Sequence, residues 1–235
     1  MKSIKVVNDK LPYNVDEAYK SLRTNLFFCG EDKKVITITS CTPNEGKSNV
    51  SFNLAVSLSQ AGKRVLLIDA DLRRSKLLGK IEAEGELKGL SHFLSQQESL
   101  TNVVYSTNIP KFHLICSGAV PPNPAELLGS VHFKQLLESL RDVYDYIIID
   151  TPPLGSVIDG AVIAEECDGS ILVIESSVIS YRFAQEVKDQ LAKCDCPILG
   201  VVLNKVEPVR QHYYRKYGKY DKYGKYDKYG KYGKY

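Results

Sequence analysis

The stretch VITITSCTPNEGKS, residues 35–48, decides the fold of this 235-residue chain. Its first part is rich in β-branched residues and predicts a strand over Val35–Thr39, and the pattern after Lys47 predicts a helix over Ser48–Ala61. A strand, a loop ending in Gly-Lys-Ser and a helix are the context that a phosphate-binding P-loop requires. Backbone N–H groups and the helix N-terminus would hold the β- and γ-phosphates of ATP, with Lys47 neutralising them and Ser48 placing its hydroxyl on Mg²⁺.

The loop departs from the strict P-loop pattern at two positions. Cys41 stands where that pattern begins with glycine, and Asn44 lies where small residues are favoured. The strand before the loop and the helix after it still favour an ATP site. The predicted nucleotide contacts from this loop are Pro43, Asn44, Glu45, Gly46, Lys47 and Ser48.

Strand and helix patterns alternate along residues 34–204. Further strands are predicted over Val65–Ile68, Phe112–Cys116, Tyr146–Ile149, Ser170–Ile174 and Ile198–Leu203. Further helices are predicted over Val131–Tyr144, Asp159–Glu166 and Tyr181–Lys193. This alternation predicts an α/β fold, a doubly wound and mostly parallel sheet with helices on both sides and ligands at the carboxyl edge of the strands.

An additional helix is predicted before the sheet. Asn14-Val15-Asp16-Glu17 has the pattern of a capping box, which would open a helix that runs through Phe28. Its inward side would carry Val15, Ala18, Tyr19, Leu22 and Leu26.

Carboxylates follow two of the predicted strands directly. Val65–Ile68 runs into Asp69 and Asp71, and Tyr146–Ile149 runs into Asp150. Because parallel strands end on one edge of a sheet, these acids should share an edge with the P-loop. Asp150 has the position of a magnesium ligand, and Asp69 or Asp71 could hold a metal-bound water or accept a proton from an acceptor hydroxyl. The predicted metal ligands are Ser48, Asp71 and Asp150, and the predicted catalytic residues are Lys47, Asp69, Asp71 and Asp150.

The chain ends in a low-complexity segment that contains nine of its fifteen tyrosines. A period of three fits neither a helix nor a strand, and the last 23 residues contain no aliphatic residue. We therefore expect a mobile arm at 209–235 after a domain over 1–208. The last 23 residues carry a net charge of +6. Because the whole chain carries +3, the remaining residues carry −3. We expect this basic arm to be attracted to an acidic, magnesium-loaded site edge. The tyrosines are Tyr213, Tyr214, Tyr217, Tyr220, Tyr223, Tyr226, Tyr229, Tyr232 and Tyr235.

The composition says more about the cellular compartment of the chain than about its activity. Six cysteines without metal-site spacing are typical of free thiols in a reducing cytosol. No run approaches the length of a membrane span, so the chain should be cytosolic, or reach a membrane only through a partner. A basic arm could equally seek nucleic acid or anionic lipid, and composition alone does not choose.

With these motifs in place, the chain resembles the bacterial tyrosine kinases of capsule and exopolysaccharide synthesis, in their cytoplasmic Gram-positive form. The similarity runs from Glu17 to Lys205, includes the stretch from Ser117 to Leu128, and extends to the tyrosine-rich tail. The resemblance implies ATP-dependent phosphorylation of the tail tyrosines, with Walker A at Lys47 and Ser48, Walker A′ at Asp69 and Asp71, and Walker B at Asp150.

The resemblance also implies partners. These kinases are activated by a membrane protein of the polysaccharide co-polymerase type, whose cytoplasmic end completes the nucleotide site. We therefore expect recruitment to the inner face of the membrane, a homo-oligomeric ring, a cognate tyrosine phosphatase and no nucleic acid. The family's oligomerisation motif, Glu-x-x-Arg-x-x-Arg, is met by Glu17, Lys20 and Arg23, with lysine at the middle position. Asn204, after the last strand, could contact the adenine base.

Two alternatives stay open at the level of sequence. Nucleotide switches of the partitioning and septum-positioning type share this sheet and its paired acids, but they carry a signature lysine five residues before the P-loop lysine. That position is Thr42 here, which together with the tyrosine-rich tail favours a kinase. The other alternative is an adaptor that binds ATP without transferring phosphate and uses its tail as a docking strip.

Overall fold

Runs of Val, Ile and Leu form the centre of a nine-stranded sheet in the computed structural model, which describes residues 2–83 and 85–207. The strands are β1 Lys2–Val6, β2 Val35–Ser40, β3 Val65–Asp69, β4 Ile81–Glu82, β5 Val104–Thr107, β6 Phe112–Ile115, β7 Tyr146–Asp150, β8 Gly169–Glu175 and β9 Ile198–Asn204. The helices are α1 Tyr13–Phe28, α2 Lys47–Gln60, α3 Leu90–Leu94, α4 Leu100–Val103, α5 Pro124–Leu128, α6 Val131–Arg141, α7 Asp159–Ala164 and α8 Tyr181–Leu191, with a short 3-10 helix at Leu77–Lys80.

The sheet order places the P-loop strand near the centre. The strands follow one another as β4-β1-β5-β6-β3-β7-β2-β8-β9. The six from β6 to β9 are mutually parallel, whereas β5 runs antiparallel to β6. Strands β2, β3 and β7 are therefore neighbours that end on one edge, with Asp69 opposite Asp150 in register. The predicted doubly wound, mostly parallel sheet is confirmed.

Both faces of the sheet are covered, which explains why its central strands lack polar alternation. On β7, Ile147 and Ile149 face one core and Ile148 faces the other. The first core contains residues of α6, α7 and α8, and the second contains residues of α1 and α2. Burial on both faces holds the ends of β2, β3 and β7 in fixed positions. These ends carry the P-loop, Asp69 and Asp150.

Predictions failed mainly where elements are short or polar. Strands β1, β4 and β5 and helices α3, α4 and α5 were not predicted, because they are short and lack the unbroken apolar run that identifies the equally short β3 and β7. The predicted capping box is wrong: α1 begins two residues earlier, Pro12 in place of Asn14 is its N-cap, and no side chain caps it. Ala18 is exposed, not inward.

Several sequence expectations concern residues after 207, which lie outside the described part of the chain. They include the tail tyrosines, the arm at 209–235 and the domain boundary at 208, and they stay predictions. Residues Met1–Lys205 form one compact unit. None of the six cysteines, all of which lie in the described residues, forms a disulfide. In residues 2–83 and 85–207, no helix combines the length and apolar character needed to cross a membrane.

Candidate active site

The P-loop has the backbone that its sequence requires. Strand β2 ends at Ser40, and α2 begins at Lys47 after a loop in which Asn44 and Gly46 adopt left-handed conformations, with φ of 71° and 92°. Glycine is needed at position 46 for a second reason, because a Cβ there would collide with the side-chain amide of Asn204. The loop therefore turns sharply and directs the N-terminus of α2 into the site.

Glu45 stabilises the loop from inside. Its side chain is only 1% exposed, and Oε1 accepts hydrogen bonds from the Thr42 backbone N–H at 2.5 Å and the Thr42 hydroxyl at 2.7 Å. Its Oε2 accepts a bond from the backbone N–H of Glu175 at 3.1 Å. Glu45 was predicted as a nucleotide contact, but its carboxylate is used to join the loop to the end of β8.

The end of β9 is attached to the same loop. Asn204 Nδ2 donates to the carbonyl of Glu45 at 2.8 Å, and Lys205 Nζ donates to the carbonyl of Asn44 at 2.7 Å. Lys205 Nζ also pairs with the Glu175 carboxylate at 2.8 Å. The residues that precede the tail thus contact the phosphate loop directly. The predicted contact of Asn204 with adenine stays a prediction, and in this structure its amide group holds the loop.

Lys47 lies among the predicted acids. Its ammonium Nζ is 3.2 Å from Asp71 Oδ2 and 4.0 Å from Asp150 Oδ1, and all three side chains are less than a tenth exposed. Ser51 donates to Asp150 Oδ1 at 3.2 Å. Asp150 Oδ2 and Asp69 Oδ1 are buried and have no hydrogen-bond partner among the described residues. The edge predicted from sequence is therefore formed, and it holds carboxylate oxygens that need a ligand or a proton.

Burial changes the protonation of two of these acids. Burial, helped by the negative charge of Asp150, raises the pKa of Asp69 to about 7, although a hydrogen bond from Ser75 acts in the opposite direction. Burial likewise raises the pKa of Asp150, which the positive charge of Lys47 partly offsets. Shifts of this kind are costly to stability and cluster at functional sites.

We predict that Asp69→Asn stabilises the metal-free protein at pH 8 by about 2 to 4 kcal/mol but has little effect at pH 4.5. With a folded pKa of about 7, Asp69 keeps a proton that the unfolded chain releases from about pH 4 upward. The wild-type protein therefore loses stability as pH rises through this window, and the neutral asparagine does not. Urea unfolding in the presence of a chelator, at both pH values, measures the difference. An equal gain at both would contradict the prediction.

The fit to Mg²⁺ rests on this donor set. Ser48, Asp71 and Asp150 supply the hydroxyl and carboxylate oxygens that Mg²⁺ prefers, and Asp150 has an oxygen to spare. Within the described residues, no group of three His, Cys, Asp or Glu side chains forms a metal cage by itself. The lack of such a cage is compatible with Mg²⁺, which is usually bound by one or two carboxylates together with substrate phosphates and water.

A cavity of about 480 Å³ opens beside the loop and reaches Pro152 and Pro153. Its lining contains one acid among the described residues, Asp71, and six cations. The cations are Lys47, Arg73, Arg74, Lys76, Lys80 and Lys205. The expectation of an acidic site edge is therefore wrong, because the acids are buried beneath a basic surface. The signal was present in the sequence, where four cations lie within residues 73–80.

Sequence reasoning also missed a clamp between the two acid-bearing loops. Arg73 binds the buried Asp159 with two hydrogen bonds, Nε to Oδ2 at 2.7 Å and Nη2 to Oδ1 at 3.0 Å. A bidentate pair of this kind fixes both distance and orientation. It connects the loop that carries Asp71 to the start of α7, which follows Asp150.

The predicted oligomerisation residues are divided by the structure. Lys20 Nζ pairs with Asp16 and Glu17, both at 2.8 Å, on a half-exposed helix surface. Arg23 instead points to its own α2, where it donates to the Ser57 carbonyl at 2.8 Å. Glu17 and Lys20 are thus available to a neighbour, whereas Arg23 contributes to docking α1 on α2.

Comparison with known proteins separates the alternatives. The cell division ATPase MinD of Pyrococcus furiosus matches with a TM-score of 0.61 at 27% identity, over 73% of this chain and 71% of that one. This cell division ATPase therefore shares the fold. At the position of the signature lysine that the nucleotide-switch ATPases carry, Thr42 is bonded to Glu45.

Tyrosine kinases match over more of the chain. The AAA domain family covers residues 33–193. A tyrosine-protein kinase CpsD of Streptococcus agalactiae is 41% identical over 93% of this chain and 97% of its own length. The crystal structure of the chimerical protein CapA2B2 has a TM-score of 0.79 at 28% identity, covering 88% of this chain and 95% of that one. The kinase domain of Escherichia coli tyrosine kinase ETK has a TM-score of 0.74 at 33% identity, covering 84% of this chain and 79% of that one. The chain therefore belongs to the bacterial tyrosine-protein kinases, within the Gram-positive group of the CpsD kinases.

Proposed function

We propose that this kinase transfers the γ-phosphoryl group of ATP to tyrosines of its own C-terminal tail. The observation that supports this most is the position of Lys47, at the N-terminus of α2 and between Asp71 and Asp150. A cation at a helix N-terminus favours the phosphates, and the surrounding acids provide oxygens for magnesium and for a proton. The binding of ATP and Mg²⁺ is part of the proposal.

In the proposed reaction, the phenol oxygen of a tail tyrosine attacks the γ-phosphorus of ATP, and the bond from that phosphorus to the bridging oxygen of ADP breaks. Lys47 neutralises charge on the phosphates and holds them in line. Asp71 accepts the phenol proton, and Asp69, which is fully buried, supplies a second carboxylate. Mg²⁺ bound by Ser48, Asp71 and Asp150 would neutralise the charge that develops between the β- and γ-phosphates.

The proposal extends to the cellular setting. A membrane activator of the polysaccharide co-polymerase type would complete the site and recruit the kinase to the inner face of the membrane. The kinase would assemble into a ring of subunits, and a cognate tyrosine phosphatase would make its phosphorylation reversible. The process under its control would be capsule or exopolysaccharide synthesis. The support is the family membership and the absence of a membrane-spanning helix from the described residues.

A blot for phosphotyrosine tests the reaction itself. Full-length protein is incubated with ATP, Mg²⁺ and the cytoplasmic end of its activator, and we expect phosphotyrosine on the tail. Mixing then tells whether transfer crosses between subunits: a Lys47→Met protein with an intact tail is the acceptor, and an active protein with its tail tyrosines replaced by phenylalanine is the donor. Nucleotide hydrolysis without phosphotyrosine would favour a nucleotide switch, and ATP binding without hydrolysis would favour an adaptor.

For assembly, we predict that Glu17→Lys reduces the oligomer to monomers without unfolding the chain. Glu17 and Lys20 form a solvent-exposed ion pair, and such pairs contribute little to the stability of a fold. Reversing the charge of Glu17 would, however, place two cations against a neighbouring subunit. Arg23→Glu is a poorer test, because it would also break the bond to Ser57.

Light scattering on full-length protein measures the change in mass. The matched control is Glu186→Lys, which breaks the exposed Arg182–Glu186 pair on α8 with the same change in charge. An unchanged mass in the Glu17 variant would show that this part of α1 is solvent-exposed surface without a role in assembly.

A further inference from the structure

We propose that Arg73 and Asp159 are positioning residues for phosphoryl transfer, because their ion pair fixes Asp71 relative to Asp150 and the P-loop. The pair joins the loop that follows β3 to the first residue of α7. The inference rests on the proposed function and adds to it two residues that set the rate of transfer through Asp71.

Asp71 needs a support that the other charged groups of the site do not need. Lys47 is the first residue of α2, and Asp69 and Asp150 are the last residues of β3 and β7, paired in register. The contact between the two chains continues for one more residue, since the Ala70 N–H donates to the Asp150 carbonyl at 2.8 Å. Asp71 follows in a stretch that is neither helix nor strand. Its position therefore depends on the contacts of the loop that carries it.

A single peptide unit connects Asp71 to the ion pair. Asp71 Oδ2 lies 3.2 Å from Lys47 Nζ, and Asp71 Oδ1 accepts the backbone N–H of Arg74 at 2.9 Å. That N–H belongs to the peptide unit between Arg73 and Arg74. The guanidinium of Arg73 binds both oxygens of Asp159, through Nε at 2.7 Å and Nη2 at 3.0 Å. A displacement of Arg73 would therefore be passed on to the carboxylate of Asp71.

The other end of the pair is anchored to the strand that leads into the P-loop. Asp159 is fully buried at the start of α7. In the segment before it, the Thr151 hydroxyl donates to the Ile38 carbonyl at 3.0 Å, and the Pro152 carbonyl accepts the Thr39 hydroxyl at 3.0 Å. Ile38 and Thr39 belong to β2. The pair thus relates the loop of Asp71 to the strand that carries the phosphate site.

The chemistry of the pair makes its geometry strict. In the described part of the chain, Arg73 is the one group that bonds the buried Asp159 carboxylate. The planar fork of arginine matches both oxygens of a carboxylate, whereas a lysine ammonium is a point charge. The Ser75 hydroxyl donates to Asp69 and so ties the same turn to β3. Breaking the pair should consequently displace Asp71 without unfolding the turn.

The test measures the rate of tail phosphorylation in full-length variants over a range of ATP concentrations, with Mg²⁺ and the cytoplasmic end of the activator. Arg73→Lys keeps the charge but removes the fork, and Asp159→Asn keeps an acceptor but removes the buried charge. Each change is also combined with Asp71→Asn. Thermal unfolding shows which variants are folded at the assay temperature, and Asp159→Asn carries the test if Arg73→Lys is not.

The matched control is Arg141→Lys, which alters a second ion pair in which arginine binds both oxygens of an aspartate. Arg141 Nη1 lies 2.8 Å from each carboxylate oxygen of Asp168. Asp168 also accepts the backbone N–H of Val35, the first residue of β2, and this end of the strand is the one away from the nucleotide. The control therefore disturbs the fold in a similar way at a distance from Asp71.

We expect the maximal rate to fall by about ten- to a hundredfold in Arg73→Lys and in Asp159→Asn, the usual effect of a small misplacement of a reacting group. The ATP concentration that gives half the maximal rate should change by less than about threefold, because the P-loop is intact. Arg141→Lys should keep the maximal rate. In protein that already carries Asp71→Asn, either change should lower the rate by less than about twofold, because the residue through which the pair acts is already altered.

Wild-type rates in the folded variants, or equal losses with and without Asp71→Asn, would overturn the proposal. So would a loss confined to Arg73→Lys and accompanied by a weaker apparent affinity for ATP, because Arg73 would then act on the nucleotide directly. Each of these results would refute the positioning role alone, since the wild-type protein would still phosphorylate its tail. A wild-type protein that forms no phosphotyrosine would instead refute the proposed function, and the positioning role with it.

Discussion

Lys47→Met is expected to lower tail phosphorylation by at least about a hundredfold, the usual loss when an electrostatic group is removed from a transition state. Lys47 is the cation closest to Asp71 and Asp150 and the one that the P-loop presents at the helix N-terminus. Methionine preserves the length and the apolar stem but supplies no charge for the phosphates. Quantitative phosphotyrosine blotting, with the activator present, measures the loss.

The control is Lys111→Met, which also removes a lysine ammonium held by the protein. Lys111 Nζ donates to the Gly62 carbonyl at 2.7 Å, on the turn that precedes β3 and hence on the edge away from the nucleotide. It should retain full activity. Because Lys47→Met leaves two buried acids without their cation, thermal unfolding must show that the variant is folded. Full activity in folded Lys47→Met would refute the assigned phosphate site.

The P-loop and the three acids could be predicted because two simple rules agree. Central strands such as Tyr146–Asp150 contain unbroken runs of large apolar residues, which indicate buried strands. Parallel strands finish on one edge of the sheet, which fixes how their ends are related. Residues at the carboxyl ends of neighbouring strands therefore lie close together, regardless of the helices that connect the strands. Asp69 and Asp150, 81 positions apart, are neighbours for this reason.

What could not be predicted depends on contacts without a local pattern. The pair of Arg73 and Asp159 spans 86 positions, and nothing in either neighbourhood indicates the other. The function of Glu45 was missed because sequence gives the residue a place in the loop but not an orientation; only the packing of β8 shows that the carboxylate is turned inward. The raised pKa of Asp69 follows from burial, which a strand-end position does not reveal.

The sign of the site surface was mistaken for a related reason. The acids Asp69, Asp71 and Asp150 belong to recognisable motifs, whereas Arg74 and Lys76 belong to none. In the folded chain, Asp69 and Asp150 are fully buried and these two cations are exposed.

Asp71→Asn is expected to lower tail phosphorylation by at least about a hundredfold, and nucleotide affinity then distinguishes two roles for Asp71. The carboxylate lies 3.2 Å from Lys47 Nζ through one oxygen and accepts the Arg74 backbone N–H through the other. Asparagine keeps an acceptor for that N–H, so the loop should hold its shape. It cannot take a proton from the tyrosine, and it is a weaker ligand for Mg²⁺.

Both activity and the affinity for ATP with Mg²⁺ are therefore measured, beside Asp189→Asn as a control on an exposed carboxylate of α8. If transfer is lost while affinity is kept, Asp71 acts on the proton of the acceptor. If both fall together, and excess Mg²⁺ restores them, Asp71 acts through the metal site. Full activity at ordinary Mg²⁺ would remove Asp71 from the mechanism, and the proton would then have to go to Asp69, whose pKa of about 7 suits it to accept one near neutral pH.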